Sequence, residues 1–137
     1  ILRSKLKQGV TVRREYAPDL PHIEAYGSEL NQVWTNIIDN AIDAMDSHGE
    51  ITLRTRYDNQ WVIVEIEDNG PGIPEAIRPN LFDPFFTTKP PGKGTGLGLN
   101  ICHNIVVQKH KGRIDVVSEP GKTRFEVRLP RHLASQA

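Results

Sequence analysis

The 137-residue sequence predicts an α+β fold, a two-layer α/β sandwich with its helices packed on one face of a sheet. Two observations lead there. Apolar residues recur at i, i+3, i+4 and i+7 through one long segment, the mark of an amphipathic helix with a face to bury. Around it the pattern reads β-α-β-β-loop-α-β-β, and every apolar stripe in that order can be covered by a single sheet.

The elements follow in order. Residues 11–16 alternate and lead to Pro18 and Pro21, which fits an edge strand and a bend. The long helix then starts with Ser28 as N-cap and Glu29 acidic in the first turn. Its stripe is Leu30, Val33, Trp34, Ile37, Ile38, Ala41, Ile42 and Met45, and Ser47, His48 and Gly49 end it. Strands are expected over residues 50–57 and 61–67, joined by the turn Asp58-Asn59-Gln60. The second is nearly continuously apolar through Val64, as a strand covered on both faces would be. From Asp68 to Gly98 glycine and proline dominate, with a short helix near residues 75–78. Helical character returns over about residues 96–109. A hairpin over residues 113–129, turning at Glu119-Pro120-Gly121, closes the chain.

Composition excludes more than it assigns. With 37% hydrophobic and 25% charged residues the chain has the make-up of a soluble globular domain. Basic and acidic side chains balance at 17 each, so any anion must be held by a local site. The single cysteine, Cys102, rules out an internal disulfide framework or a multi-cysteine zinc site and fits a reducing, cytoplasmic setting. No apolar run is long enough for a membrane span, and residues 1–9 lack a signal-peptide core. They read instead as the end of a longer chain.

Four segments carry possible chemistry. Asn36 and Asn40 stack one turn apart on the flank of the helix stripe. Their amides suit either a hard cation such as Mg²⁺ or an ordinary polar helix surface. Directly after the apolar strand comes Asp68-Asn69-Gly70-Pro71-Gly72-Ile73. Its glycines let backbone approach a flat ligand, and an ionised Asp can accept from an exocyclic amine such as that of adenine while rejecting the guanine carbonyl. A plain Gly/Pro turn fits as well. The third segment, Gly92-Lys93-Gly94-Thr95-Gly96-Leu97-Gly98-Leu99, opens a helix and either offers backbone N–H groups to phosphates or serves as a flexible linker, which the helix that follows at once disfavours. It is not a P-loop, because Thr87 stands where that pattern needs its first glycine, nor a G-x-G-x-x-G turn, because Gly94, Gly96 and Gly98 alternate. Between the second and third lies Leu81-Phe82-Asp83-Pro84-Phe85-Phe86-Thr87-Thr88-Lys89, either an aromatic-pinned loop or a lid carrying Lys89 or Lys93 to a phosphate.

Together and in this order, these segments resemble the histidine kinase ATP-binding family, part of the group sharing the Bergerat fold. Asn36-Ile37-Ile38-Asp39-Asn40-Ala41 looks like its N box, and Asp68 to Ile73 its G1 box. Phe82-Asp83-Pro84-Phe85-Phe86 looks like the F box, Gly94-Thr95-Gly96-Leu97-Gly98-Leu99 the G2 box, and the segment from Ser118 to Phe125 the closing turn. The resemblance implies a mixed, mostly antiparallel sheet. It implies ATP and Mg²⁺ as cofactors, with Asn40 as metal ligand, Asn36 near the phosphates and Lys89 in a short lid with Lys93. Asp68 would read the adenine amine beside Gly70, Gly72, Ile73 and Phe85. Gly94, Thr95, Gly96, Leu97, Gly98 and Leu99 would line the phosphates, and Thr123 would lie near the base. One departure is His110-Lys111-Gly112, where His-Gly-Gly is commoner, and only a turn is expected to feel it.

ATP-hydrolysing relatives carry Glu where Asn36 stands, and an amide is no base near neutral pH. The resemblance therefore implies ATP held for transfer rather than hydrolysis, the alternatives being an ATPase of the same group or a serine kinase that binds and inhibits a transcription factor. None of His22, His48, His103, His110 and His132 has the setting of a phosphoacceptor, so each reads as a surface or turn residue. The expected organisation is a linker remnant of a helical dimerisation domain (1–10), a catalytic domain (11–131) and a tail (132–137). The expected partners are that dimerisation and phosphoacceptor domain and a response regulator. No nucleic acid or direct membrane contact is expected, and the isolated domain should be a monomer.

Overall fold

The computed structural model describes residues 10–18, 25, 27–45, 49–83 and 98–131. Five strands form one sheet: β1 (Val10–Glu15), β2 (Gly49–Tyr57), β3 (Trp61–Asp68), β4 (Arg113–Glu119) and β5 (Lys122–Pro130), in the order β1-β2-β3-β5-β4. Only β1 and β2 run parallel; all other neighbours are antiparallel. A parallel pair needs a crossover, and α1 (Gly27–Ala44) supplies it. The expected mixed, mostly antiparallel sheet is the one found, and β1 is its edge. Among the described residues no helix is long and apolar enough to cross a membrane.

Helix α1 begins one residue before the expected cap, so Ser28 lies in its first turn. Such boundaries shift by a residue or two with local geometry. Its buried stripe, Leu30, Val33, Ile37, Ala41 and Ile42, lies in one apolar cluster with Ile51, Ile66, Phe125, Val127 and Leu129 of the sheet. The second helical stretch changes pitch: α2 (Gly98–His103) continues as a π-helix over Asn104–Lys109. The His110 amide accordingly donates to Ile105 O, five residues back, at 3.2 Å. The sequence pointed to helical character over about residues 96–109, without its pitch. The short helix expected near residues 75–78 is a 3₁₀ helix, Glu75–Asn80.

The strand expected to be covered on both faces needs a correction. One face of β3 packs on the helices, but among the described residues the other carries no second layer. Alternate residues there form a lattice of ion pairs, across strands in Arg56–Glu65 at 2.9 Å, Arg54–Glu67 at 3.0 Å and Arg56–Glu126 at 3.3 Å, and along β5 in Arg128–Glu126 at 2.7 Å. Ile63 lies on this face in register between Arg56 and Arg128 and is only 1% exposed. Long arginine stems shield an apolar residue while their heads stay wet, so continuous hydrophobicity did not require a covering layer.

Candidate nucleotide site

Three strands bring their ends together at one corner. Asp68, the last residue of β3, stands opposite Thr123 on β5, and Thr123 stands opposite Ser118 on β4. Directly paired residues project to the same side, so the three are abreast on the helix-covered face. All are buried, at 5%, 5% and 7% exposure. One Asp68 oxygen accepts from the Gly70 amide at 2.9 Å. Among the described residues nothing donates to the other oxygen. Burial pushes the Asp68 carboxyl above the ordinary aspartate range; the Gly70 bond pulls it down, and the neighbouring charge of Glu67 pushes it up further. A carboxylate kept there at a cost in desolvation is a group waiting for a donor.

The loop after Asp68 is tied down from several sides. Asn69 accepts from the Glu50 amide at 2.9 Å through its side chain, which fastens the loop to the start of β2. Gly72 has φ +91°, and a Cβ there would lie 2.5 Å from Glu119 O, so only glycine lets the loop rest on β4. That approach delivers the Ile73 amide to Ser118 Oγ at 2.7 Å. Arg78 adds a brace, donating to Ile73 O at 3.3 Å and to Ser118 O.

The two asparagines of α1 are half-buried, one turn apart. Asn36 donates to Gly98 O at 3.3 Å and so holds the first turn of α2. The carboxamide of Asn40 makes no hydrogen bond to another described residue. Further along α2, Asn100 donates to Phe82 O at 3.3 Å, and the rings of Phe82 and His103 lie 5.5 Å apart. Cys102, fully buried beneath Asn36, has its thiol pushed up to about 11 by burial, which removes it as a nucleophile at neutral pH.

The structure thus brings Asp68, Gly70, Gly72, Ile73 and Thr123 to one corner, and Asn36, Gly98 and Leu99 to the junction of the two helices. Phe85, Lys89, Lys93, Gly94, Thr95, Gly96 and Leu97 lie outside the described residues, as do His22, His48 and His132. Sequence reasoning missed Ser118, Arg78 and Asn69, whose partners are far along the chain. It also took His110 for a surface or turn residue. His110 does sit in a turn, but it is 2% exposed, with Nδ1 2.9 Å from Ile105 O.

The family model of the histidine kinase-, DNA gyrase B-, and HSP90-like ATPases matches residues 26–133. The catalytic domain of histidine kinase ThkA superposes with a TM-score of 0.85 at 32% identity, covering 95% of this chain and 86% of that one. The chain belongs to the histidine kinase catalytic ATP-binding domains. A histidine kinase domain of this family therefore presents the corner just described. It is also 40% identical over 136 residues to the sensory histidine kinase/phosphatase NtrB of Vibrio alginolyticus, covering 90% of this chain and 38% of that protein. The domain spans about two fifths of the length of its NtrB relatives. A complex of ThkA with the response regulator protein TrrA matches at TM-score 0.82 and 28% identity, over 97% of this chain and 38% of that one.

Proposed function

We propose that this domain holds Mg-ATP and offers the γ-phosphate to a histidine on a helical dimerisation domain. The observation that carries this reading is Asp68, a buried carboxylate with one oxygen fixed by Gly70 and the other turned to no described group. An adenine amine would donate to it, and guanine would set a carbonyl against it, leaving a buried acceptor unpaired.

The residues present fit a metal that arrives with the nucleotide. Among the described residues no group of three or more His, Cys, Asp or Glu could hold a cation alone. Mg²⁺ keeps several waters and prefers phosphate oxygens, so one carboxamide oxygen from Asn40 is a sufficient protein ligand. Bound there, the ion would neutralise charge on the transferring phosphoryl group. Asn36 holds the start of α2 through Gly98, and the G2 segment leads into that turn. Its part is to fix where the backbone amides around Gly94, Thr95, Gly96 and Leu97 meet the phosphates, with Lys89 and Lys93 adding positive charge. Because Asn36 is an amide, no side chain at that position activates water, and ATP is kept for transfer. The response regulator is the expected next acceptor, as TrrA is ThkA's partner in their complex.

Calorimetric titration of Mg-ATP into the domain and its Asp68→Ala variant tests the reading. Saturable binding with heat returning to baseline, lost in the variant, is expected. Absence of binding by the native domain would mark a degenerate module, and sustained heat flow would mark an ATPase.

A further inference from the structure

Asn69-Gly70 is the one Asn-Gly pair in the sequence. An asparagine in that setting is chemically labile, because the next backbone nitrogen can attack the side-chain carboxamide, and glycine, with no Cβ, leaves the approach open. A bond forms between Gly70 N and Asn69 Cγ, and the bond from Cγ to Nδ2 breaks. The Gly70 proton leaves with Nδ2 as ammonia, and a five-membered succinimide remains. Water then opens either carbonyl and gives aspartate or isoaspartate. Solvent is the sole co-reactant.

The fold exposes this pair and latches it at the same time. Asn69 is exposed, so water reaches it. Its side-chain oxygen accepts from the Glu50 amide at 2.9 Å, and its own amide donates to Glu50 O at 3.3 Å. Backbone and side chain are thus both tied to the start of β2. The Gly70 amide donates to the Asp68 carboxylate at 2.9 Å. The attacking nitrogen must give up that proton, and a carboxylate beside it opposes the negative charge that then develops. The labile glycine is also required, since a Cβ at Gly70 would lie 3.0 Å from Asp68 Oδ1 and 3.2 Å from Met45 Cγ.

We infer that Asn69 is a modification site, latched in the native fold by Asp68 and Glu50, whose deamidation disables the loop. Aspartate in its place would set a second charge beside the buried Asp68 carboxylate. Isoaspartate would add a methylene to the backbone between Asp68 and Gly70 and carry the Gly70 amide off the carboxylate. The effect on nucleotide rests on the ATP reading above; the modification itself does not.

The test holds the domain and its Asp68→Ala and Asp68→Asn variants in mildly alkaline buffer, with and without unfolding urea. Mass spectrometry follows the amide-to-acid mass gain and isoaspartate at Asn69. The unfolded native chain should deamidate here faster than at its other asparagines, and folding should slow the reaction about 10–100-fold, the worth of two hydrogen bonds. Asp68→Ala removes both the bond and the charge, and should return about tenfold of that protection in a domain that still melts cooperatively. Asp68→Asn keeps an oxygen for the Gly70 amide and should return less. A folded native domain that reacts as fast as the unfolded chain would overturn the latch. So would a folded Asp68→Ala domain that reacts no faster than the native one, because Asp68 would then be a base for the attack or a bystander. Should that variant not fold, Asp68→Asn and the native comparison decide. The deamidated fraction, separated by ion exchange, should bind Mg-ATP about tenfold more weakly than the intact one, and equal binding would overturn the loss of function. A native domain that keeps the latch and binds no Mg-ATP would overturn the ATP reading alone.

Discussion

At the scale of single residues, the positions that were legible in the sequence are those whose chemistry is local. Asp68 ends an apolar strand and is followed by glycines, and it is found buried with the Gly70 amide on it. Asp58, read as a turn residue, accepts from the Gln60 and Trp61 amides at 2.8 Å each, and those bonds hold its carboxyl below the ordinary range. Ser118 and Arg78 were not legible, because their partners lie 45 and 40 residues away and nothing local marks them. Lys111 sits between these cases. Its departure from the family pattern was visible, and the structure gives the consequence: φ is +56°, a left-handed conformation that strains a side chain with a Cβ. The next amide, Gly112, donates to Val106 O at 2.8 Å, so the turn that closes the π-helix depends on this conformation. Lys111→Gly should therefore stabilise the fold by about 0.5–1 kcal/mol, the strain relieved less the chain entropy that glycine adds. Urea unfolding of the two domains checks this, and a lower midpoint for the glycine variant would show the turn to be relaxed as it is.

At the scale of elements, hydrophobic pattern and turn residues found the long helix and the strands, since both are written in consecutive residues. They could not find the π-helix, because pitch is set by how Ile105 and Val106 seat in the core rather than by their order. Nor could they reveal the cover over the outer face of β3, which consists of charges from three strands, β2, β3 and β5. Glu65 is the hub of that face. It is 7% exposed and faces Arg56 at 2.9 Å, with Arg54 and Arg124 each at 3.9 Å. Removing its charge leaves three guanidinium groups around a nearly buried amide. Full burial would make this severe, but the arginines are partly exposed and solvent screens them. Glu65→Gln should destabilise the domain by about 1–2 kcal/mol. The loss should shrink as salt is raised, because the native ladder is itself screened. A loss that salt does not change would assign the effect to packing around Ile63.

At the scale of the whole molecule, the carboxylates divide into those that support the fold and one that works against it. Burial pushes Glu67 up, but the hydrogen bond and charge of Arg54, with Lys122 and Arg124, outweigh it and hold the carboxyl below the ordinary range. A lowered carboxyl, as in Glu67 and Asp58, gives stability that is complete above its unfolded value and lost as pH falls through its folded one. Acid unfolding by these groups therefore belongs below about pH 4. Asp68 has the opposite sign. Its carboxyl is raised, so the folded domain binds that proton more tightly than the unfolded chain does, and stability falls as pH rises through the folded value. On the proposed reading, in which an ionised Asp68 accepts from the base, affinity should drop about tenfold per pH unit once Asp68 begins to protonate. That happens at a higher pH than unfolding. Calorimetry with Mg-ATP and thermal unfolding in the same buffers should show binding lost while the melting midpoint is still near its neutral value. Asp68→Asn sharpens the contrast. With its oxygen on the Gly70 amide, the asparagine turns its NH₂ toward the base, donor against donor, so ATP affinity should fall by about 10–100-fold. The empty domain should melt at a higher temperature than the native one at neutral pH, because the desolvated charge is gone. A variant that melts lower would mean that the Gly70 bond outweighs desolvation, and that Asp68 holds the loop as much as it awaits the nucleotide.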